Sequence, residues 1–410
     1  MDVRIHRGSK EIGGTCIEIA SAGKRILIDA GLPLKGFGDG ASPPLPQLDF
    51  DSLLAVVISH PHLDHYGLLP WLPTMPIVMG AAARQILLAA SPFMRQAPPM
   101  LAGQDLVDRY PIAIGPFTIT PYLVDHSAYD AYALLIEAEG KRLFYSGDFR
   151  LHGRKSALME RFLSQPPAEI DALLMEGTAL GRSPCDSGPQ TEDELEAEFC
   201  ASFRETSGLA LIQASAQNID RMVTLYRACK KTDRTLLIDL YTAVILEATG
   251  NPRLPQSHWP HVALCVPLRQ RIQIKRNAWF RQLDRHARRR LFLKRDVAAH
   301  PEKFALLYRD LWRHDLEKAG CLTGALFSYS QWPGYMQRDD FAPTRAWLGS
   351  HGLPIRLIHT SGHADAAGLR RFAQAISPRR LVPIHTVYPE DYNDFGIPVT
   401  IQPDGEWWQI

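Results

Sequence analysis

The 410-residue sequence has no CxxC pair, no internal repeat and no low-complexity segment. Its six cysteines (Cys16, Cys185, Cys200, Cys229, Cys265, Cys321) stand singly. That argues against a Cys-rich structural zinc site and a disulfide framework, and favours a reducing compartment. No apolar run approaches the ~20 residues needed to cross a bilayer, and the N-terminus, MDVRIHRGSKEIGG, lacks a signal core. A cytoplasmic protein with no membrane partner is expected. Excess charge is missing too: 45 basic against 44 acidic side chains leave a formal charge of +1. Any attraction to nucleic acid must therefore come from a local patch. What is plentiful is apolar residues, 46% of the chain, enough for one large core or two ordinary ones.

Strand-like stretches dominate the first part: VRIH, TCIEIA and RILIDAG near the N-terminus, then LLAVVIS (53–59) and PIVMG (76–80). FTITPYLV (117–124), AYALLIEA (131–138), KRLFYSGD (141–148) and IDALLME (170–176) continue the series. Asp, His or Glu follows many of these runs at once, the pattern by which α/β sheets gather chemistry at strand ends. The character changes near 190. TEDELEAEFCASFRET predicts a helix with Thr191 and Glu194 as a capping box. LALIQAS (209–215) and RTLLID (234–239) read as strands of βα units, a basic helical region runs from 267 to about 318, and CLTGALFSYS (321–330) is a further strand. IRLIHTSGHAD (355–365), RRLVPIHTVYP (379–389) and VTIQPDG (399–405) resume the earlier strand-then-histidine style. The expected layout is one α/β domain (1–190) interrupted by an inserted α/β domain (191–350) and closed by 351–410. ASPPLPQ and RQAPPM read as surface loops.

VVISHPHLDHYG (56–67) packs three histidines and an aspartate behind a buried strand. Residues two apart in an extended segment share a face, so His60 and His62 can grip one ion, with Pro61 stiffening the link. Asp64 and His65 then face a second position. Imidazole and carboxylate donors suit zinc, and also manganese. A binuclear site needs remote ligands, and His126, Asp148 and His385 each follow a strand in the same manner.

At this point the chain resembles the metallo-β-lactamase-fold hydrolases of the β-CASP type, most of all the ribonuclease J group. Asp29 in LIDAG, SHPHLDH, His126 in DHSAYDAYALL and Asp148 in YSGDFR match the first four motifs in order. Glu176 in LLMEGT, His363 in HTSGHAD and His385 in LVPIHT match the three that follow. The resemblance implies an αββα sandwich with an inserted β-CASP domain. It implies two divalent ions, zinc above manganese: His60, His62 and His126 on one, Asp64, His65 and His385 on the other, with Asp148 and a nucleophilic hydroxide between them. It further implies His363 as general acid, with Asp29 and Glu176 orienting these side chains.

The insertion and a histidine at position 385 favour single-stranded RNA as substrate, since DNA-repair relatives usually carry valine there. The segment 267–295 adds Arg269, Arg271, Lys275, Arg276, Arg281, Arg285, Arg288, Arg289, Arg290, Lys294 and Arg295, opposed within it by Asp284 alone. Arg276 and Arg281 are candidate phosphate contacts, and a solvated helix face is the plainer alternative. By resemblance, Ser361 and Gly362 would hold a 5′-phosphate, and Ser215, Asn218 and Arg221 in QASAQNIDRM would face the nucleic acid. An ordinary helix N-terminus with its caps accounts for those last three equally well. The chain departs from the group at FSYSQWPGYM (327–336), where Trp332 and Tyr335 replace a Gly-Glu loop, and a protein without the group's C-terminal domain is expected. Processive 5′-exonuclease and endonuclease modes stay open, as does a homodimer. A DNA nuclease, a small-molecule metallo-hydrolase and an inactive RNA-binding partner are the rival expectations.

Overall fold

The computed structural model describes residues 1–34, 43–94, 101–181 and 188–410. RQAPPM (95–100), the start of ASPPLPQ and Cys185 lie outside the described residues. Two compact units emerge: Met1–Gly188 with Gly362–Ile410, and Pro189–Ser361.

The first unit contains two sheets. One has seven strands in the order Trp407–Gln409, Asp2–Arg7, Cys16–Ser21, Lys24–Ile28, Leu53–Val57, Ile77–Gly80, Asp105–Leu106. The other has six, ordered Leu381–Pro383, Ala172–Met175, Lys141–Tyr145, Ala131–Ala138, Phe117–Val124, Ile112–Ile114. Side-chain alternation explains the layering. Ile26 and Ile28 point into a core shared with Ile17, Ile136, Leu143 and Leu174, while Leu27 between them packs on the opposite face. There it meets Ala83 and Leu87 of the helix Ala81–Ala90. On the far side, Met159 and Phe162 of Ser156–Ser164 and Leu369 and Phe372 of Ala366–Ile376 cover Leu135, Phe144 and Leu173. The unit is an αββα sandwich, the metallo-β-lactamase fold. Strands buried on both faces read as continuous apolar runs, which is why they were visible in the sequence.

The closing segment contributes to both sheets. Leu381–Pro383 runs parallel to Ala172–Met175, and Trp407–Gln409 runs antiparallel to Asp2–Arg7.

The second unit is a seven-stranded, wholly parallel sheet ordered Arg290–Leu291, Val262–Cys265, Thr235–Ile238, Phe304–Leu307, Ala210–Gln213, Leu326–Tyr329, Ile355–Leu357. The helix Glu192–Glu205 begins with the expected capping box: Thr191 accepts from the Glu194 amide, and the Glu194 side chain accepts from the Thr191 amide.

Two expectations need correction. The region to about 318 is not helical throughout: Phe304–Leu307 is a strand lying between Thr235–Ile238 and Ala210–Gln213. Four apolar residues, FALL, carry no periodicity that separates strand from helix. The second boundary also falls later than 350/351. Ile355–Leu357 hydrogen-bonds along Leu326–Tyr329, so the inserted unit extends to Ser361.

Candidate metal centre

The first unit's titratable cluster is built at strand ends. After Leu53–Val57 the chain passes through Ser59, His60 and His62, and the single turn Leu63–Tyr66 brings Asp64 and His65 back toward them. His126 follows Phe117–Val124, Asp148 follows Lys141–Tyr145, Glu176 follows Ala172–Met175, and His385 follows Leu381–Pro383. Their ligand atoms converge in overlapping groups, each within 4.8 Å: His60, His62, His126; Asp64, His65, His385; His60, His65, Asp148; and Asp148, Glu176, His363, His385. Asp148 Oδ2 lies 3.1 Å from His65 Nε2 and 3.7 Å from His60 Nε2.

Four of the imidazoles, His60, His65, His126 and His385, are each held at Nδ1, with Nε2 directed into the cluster. Ser59 Oγ is 3.0 Å from His60 Nδ1, and Asp29 Oδ2 accepts from His65 Nδ1 at 2.8 Å. The Gly362 carbonyl accepts from His126 Nδ1 at 2.6 Å, and Thr178 Oγ1 is 2.8 Å from His385 Nδ1. That division is what a ligand histidine requires: one nitrogen sets tautomer and ring plane, the other keeps its lone pair for a cation. Buried His60 Nε2, His65 Nε2 and Asp148 Oδ1 make no hydrogen bond at all. Orphaned donors and acceptors in a buried cluster are costly unless something satisfies them. The nitrogen and carboxylate set fits divalent zinc or manganese.

Electrostatics agrees. Burial pushes His60, His62 and His126 down, His62 to about 4, with neighbouring histidines adding to the effect on His60 and His126, so all three are neutral near pH 7. Burial opposes ionisation of Asp64 and Asp148, but His385 and His65 outweigh it and hold both carboxyls below their usual range. For His65 burial acts downward, yet Asp148 and Asp29 raise it. His363 behaves alike: burial opposes protonation, and the Glu176 carboxylate, 2.9 Å from Nδ1, raises it.

The carboxylates that orient these rings are themselves fixed. Asp29 accepts from the Ser59 amide at 2.7 Å, and from Ser59 Oγ and Tyr145 OH at 2.8 Å each. Glu176 accepts from the amides of Phe149 and Thr178 at 2.9 and 3.2 Å. Asp29 (φ 57°) and His385 (φ 53°) occupy the left-handed region, a strain that such bonding sustains. Ser59, Tyr145 and Thr178 were not singled out from sequence. Their only signal is position, one to three residues from Asp148, His60 or Glu176 within the same motifs.

Gly362 serves by its lack of a side chain: a Cβ there would stand 2.5 Å from Ser127 Oγ and 3.2 Å from the His126 ring. Ser361, its neighbour in sequence, closes the second unit. In that unit Ser215 is exposed, whereas Asn218 caps Ile219–Lys231 by accepting from the Arg221 amide. Arg221 must be corrected. It is fully buried, paired with Glu192 at 3.1 Å and bonded to Ser330, and so cannot reach a nucleic acid. The basic segment is also less bare than it reads. Arg271 pairs with Asp315, Arg285 with Glu247 and Arg295 with Asp296, whereas Arg276 and Arg281 are exposed and make no ion pair among the described residues. The five described cysteines are buried and unbridged, and among the described residues no helix is long and apolar enough to cross a membrane.

The Beta-lactamase superfamily domain family matches residues 24–237. The chain belongs to the β-lactamase superfamily. The Zn-dependent metallo-hydrolase RNA specificity domain matches residues 353–392, which include Gly362, His363 and His385. Among curated relatives, ribonuclease J from Helicobacter pylori (strain ATCC 700392 / 26695) is 24% identical over 245 residues, 56% of this chain and 35% of that protein. Transcription termination factor FttA from Methanothermobacter thermautotrophicus is 41% identical over 68 residues, 16% of this chain and 11% of that protein. The superfamily chain thus aligns with about a third or less of these relatives' lengths. A crystal structure of a protein of unknown function from Enterococcus faecalis V583 shares the fold, with a TM-score of 0.73, 20% identity and 99% of each chain covered.

Proposed function

We propose that the chain is a two-metal hydrolase of RNA phosphodiester bonds. The observation that carries this reading is the convergence of six imidazoles and three carboxylates in overlapping groups, with buried ligand atoms left unsatisfied. His60, His62 and His126 would hold one divalent ion, and Asp64, His65 and His385 the other, with Asp148 shared. When bound, such ions, zinc first and manganese as an alternative, acidify a water molecule and neutralise charge developing on the phosphoryl group. The remaining work falls to the chain. Asp29, Ser59, Thr178 and the Gly362 carbonyl keep ring planes and tautomers fixed, so binding needs little reorganisation. Glu176 holds the Nδ1 proton of His363 and raises its affinity for a second proton. His363 Nε2 would pass that proton to the leaving oxygen, for which a proton donor typically contributes about 10²–10⁴ in rate.

RNA as the substrate is supported by the match to the RNA specificity domain and by the name ribonuclease J among the relatives. Arg276 and Arg281 offer unpaired cations for phosphates, Ser361 and Gly362 would meet a 5′-phosphate, and Ser215 and Asn218 lie in a loop at the end of Ala210–Gln213. We assign Pro189–Ser361 as the β-CASP insertion and a cytoplasmic site of action. The test is metal analysis combined with cleavage of matched single-stranded RNA and DNA oligonucleotides bearing 5′-monophosphate, 5′-triphosphate or 5′-hydroxyl ends. Mononucleotides from the monophosphate RNA alone would establish an exonuclease, and internal cuts in all three an endonuclease. Preferential DNA cleavage, or RNA turnover that survives His60→Ala, would refute the reading.

A further inference from the structure

We propose that Trp332 and Tyr335 form a stacking platform for an unpaired base of the RNA strand, a reading that rests on the ribonuclease function above. All strands of the second unit run parallel, so the segments following them leave from one edge of the sheet, where open α/β sheets bind ligands. The segment after Leu326–Tyr329 carries both aromatics. Gln331 within it accepts from Gln213 Nε2 at 3.5 Å, joining it to the segment that begins the Ser215–Asn218 loop.

The two rings are displayed rather than hidden. Trp332 is 45% exposed and Tyr335 38%, while Tyr329 and Phe341 beside them pack inward against each other, centroids 5.4 Å apart. The pair meets edge to face, with centroids 5.2 Å apart and planes at 89°. It is also held in place. Pro333 opens the short turn Pro333–Gln337, and the indole lies across Gly334 so closely that a Cβ there would fall 2.3 Å from the ring. Any side chain at 334 would displace the indole. Exposed aromatics fixed in one pose lose little entropy on binding a flat partner, the condition for a recognition surface.

The surroundings select the partner. Arg338 lies over the Tyr335 ring at 5.8 Å, but Arg338 and Arg345 are balanced by Asp339 and Asp340, all four exposed. Such a patch has no net attraction for phosphate, so it would hold a strand through ring faces. Gln331, Gln337 and Arg338 interrupt the apolar surface that a protein partner or a second copy of the chain would need to bury. An unpaired base presents a π face of matching size, and stacking tolerates any base identity.

The test is equilibrium binding of the metal-loaded chain to a cleavage-resistant, phosphorothioate-linked single-stranded RNA 12-mer. Trp332→Ala should weaken binding about tenfold, Gly334→Ala should weaken it in the same direction, and Trp332→Phe should retain most of it. The slope of affinity against salt should not change. Hydrolysis of bis-p-nitrophenyl phosphate and the thermal midpoint should stay at wild-type values, which separates the platform from folding and from the metal centre. Wild-type affinity in Trp332→Ala and Gly334→Ala, a shallower salt slope, or equal weakening on an abasic strand would overturn the platform. So would a change in oligomeric mass with RNA affinity unchanged. Wild-type protein that bound no single-stranded RNA yet hydrolysed the small diester would instead overturn the ribonuclease reading.

Discussion

Both units place polar residues immediately after buried parallel strands, yet the two strand edges use them differently. In the first unit, His60, His65 and Asp148 bring ligand atoms within 4.8 Å of one another, as do Asp64, His65 and His385, and His60, His65 and Asp148 each retain an atom without a hydrogen bond. In the second, Asp239 caps Leu240–Ala248 and pairs with Arg309, Ser330 bonds to the Ile358 carbonyl, and Arg221 is locked to Glu192. The same sequence grammar thus yields a candidate metal centre in one sheet and internal fastenings in the other. At these residues the difference is satisfaction: Asp239, Ser330 and Arg221 have hydrogen bonds filled from within, whereas His60, His65 and Asp148 each keep an atom unfilled.

Substitutions can break this contrast, and the largest effect is expected at the shared carboxylate. Asp148→Ala should abolish RNA cleavage and remove most bound metal, measured by elemental analysis of the purified protein. Next, His363→Ala should slow cleavage by about 10²–10⁴-fold while leaving metal content intact. A parallel loss of metal would make His363 a ligand instead. In the second unit, Arg221→Ala leaves Glu192 buried without its cation and should cost about 3–5 kcal/mol of stability. Urea unfolding would read this out, and unchanged stability with weakened RNA binding would restore Arg221 to the nucleic-acid face. Thr178→Val removes the hydrogen bond that orients His385 and should weaken metal affinity by about 10–100-fold, read by competition with a chelating dye. The smallest effect belongs to the exposed cations. Arg276→Glu with Arg281→Glu should weaken RNA binding at low salt and flatten its salt dependence by about 0.7 per lost contact. An unaltered slope would return these residues to the role of a solvated helix face.

The residues of the cluster were legible because HxHxDH concentrates its information in six positions and because the remote members repeat one local pattern, a strand end followed by His or Asp. The sandwich was legible for a related reason, since strands buried on both faces are apolar along their whole length. The strand Phe304–Leu307 was not: it is short, and its parallel neighbours begin roughly 70 and 95 residues earlier in the chain, at Thr235 and Ala210. Arg221 misled because a strand-end loop followed by Asn and Arg fits both a phosphate contact and a capped helix with a buried ion pair. Only the position of Glu192 distinguishes them, and sequence spacing does not encode it.

By itself the sequence determined the donor chemistry, the fold class and the existence of an insertion, because these depend on residue type, periodicity and local spacing. Tertiary structure decided which nitrogen of His65, His126 and His385 is held, because Asp29, the Gly362 carbonyl and Thr178 reach these rings from other parts of the chain. It also decided that Arg221 is a fastening and that the Trp332 indole rests on Gly334, since burial and close approach are properties of the packed chain.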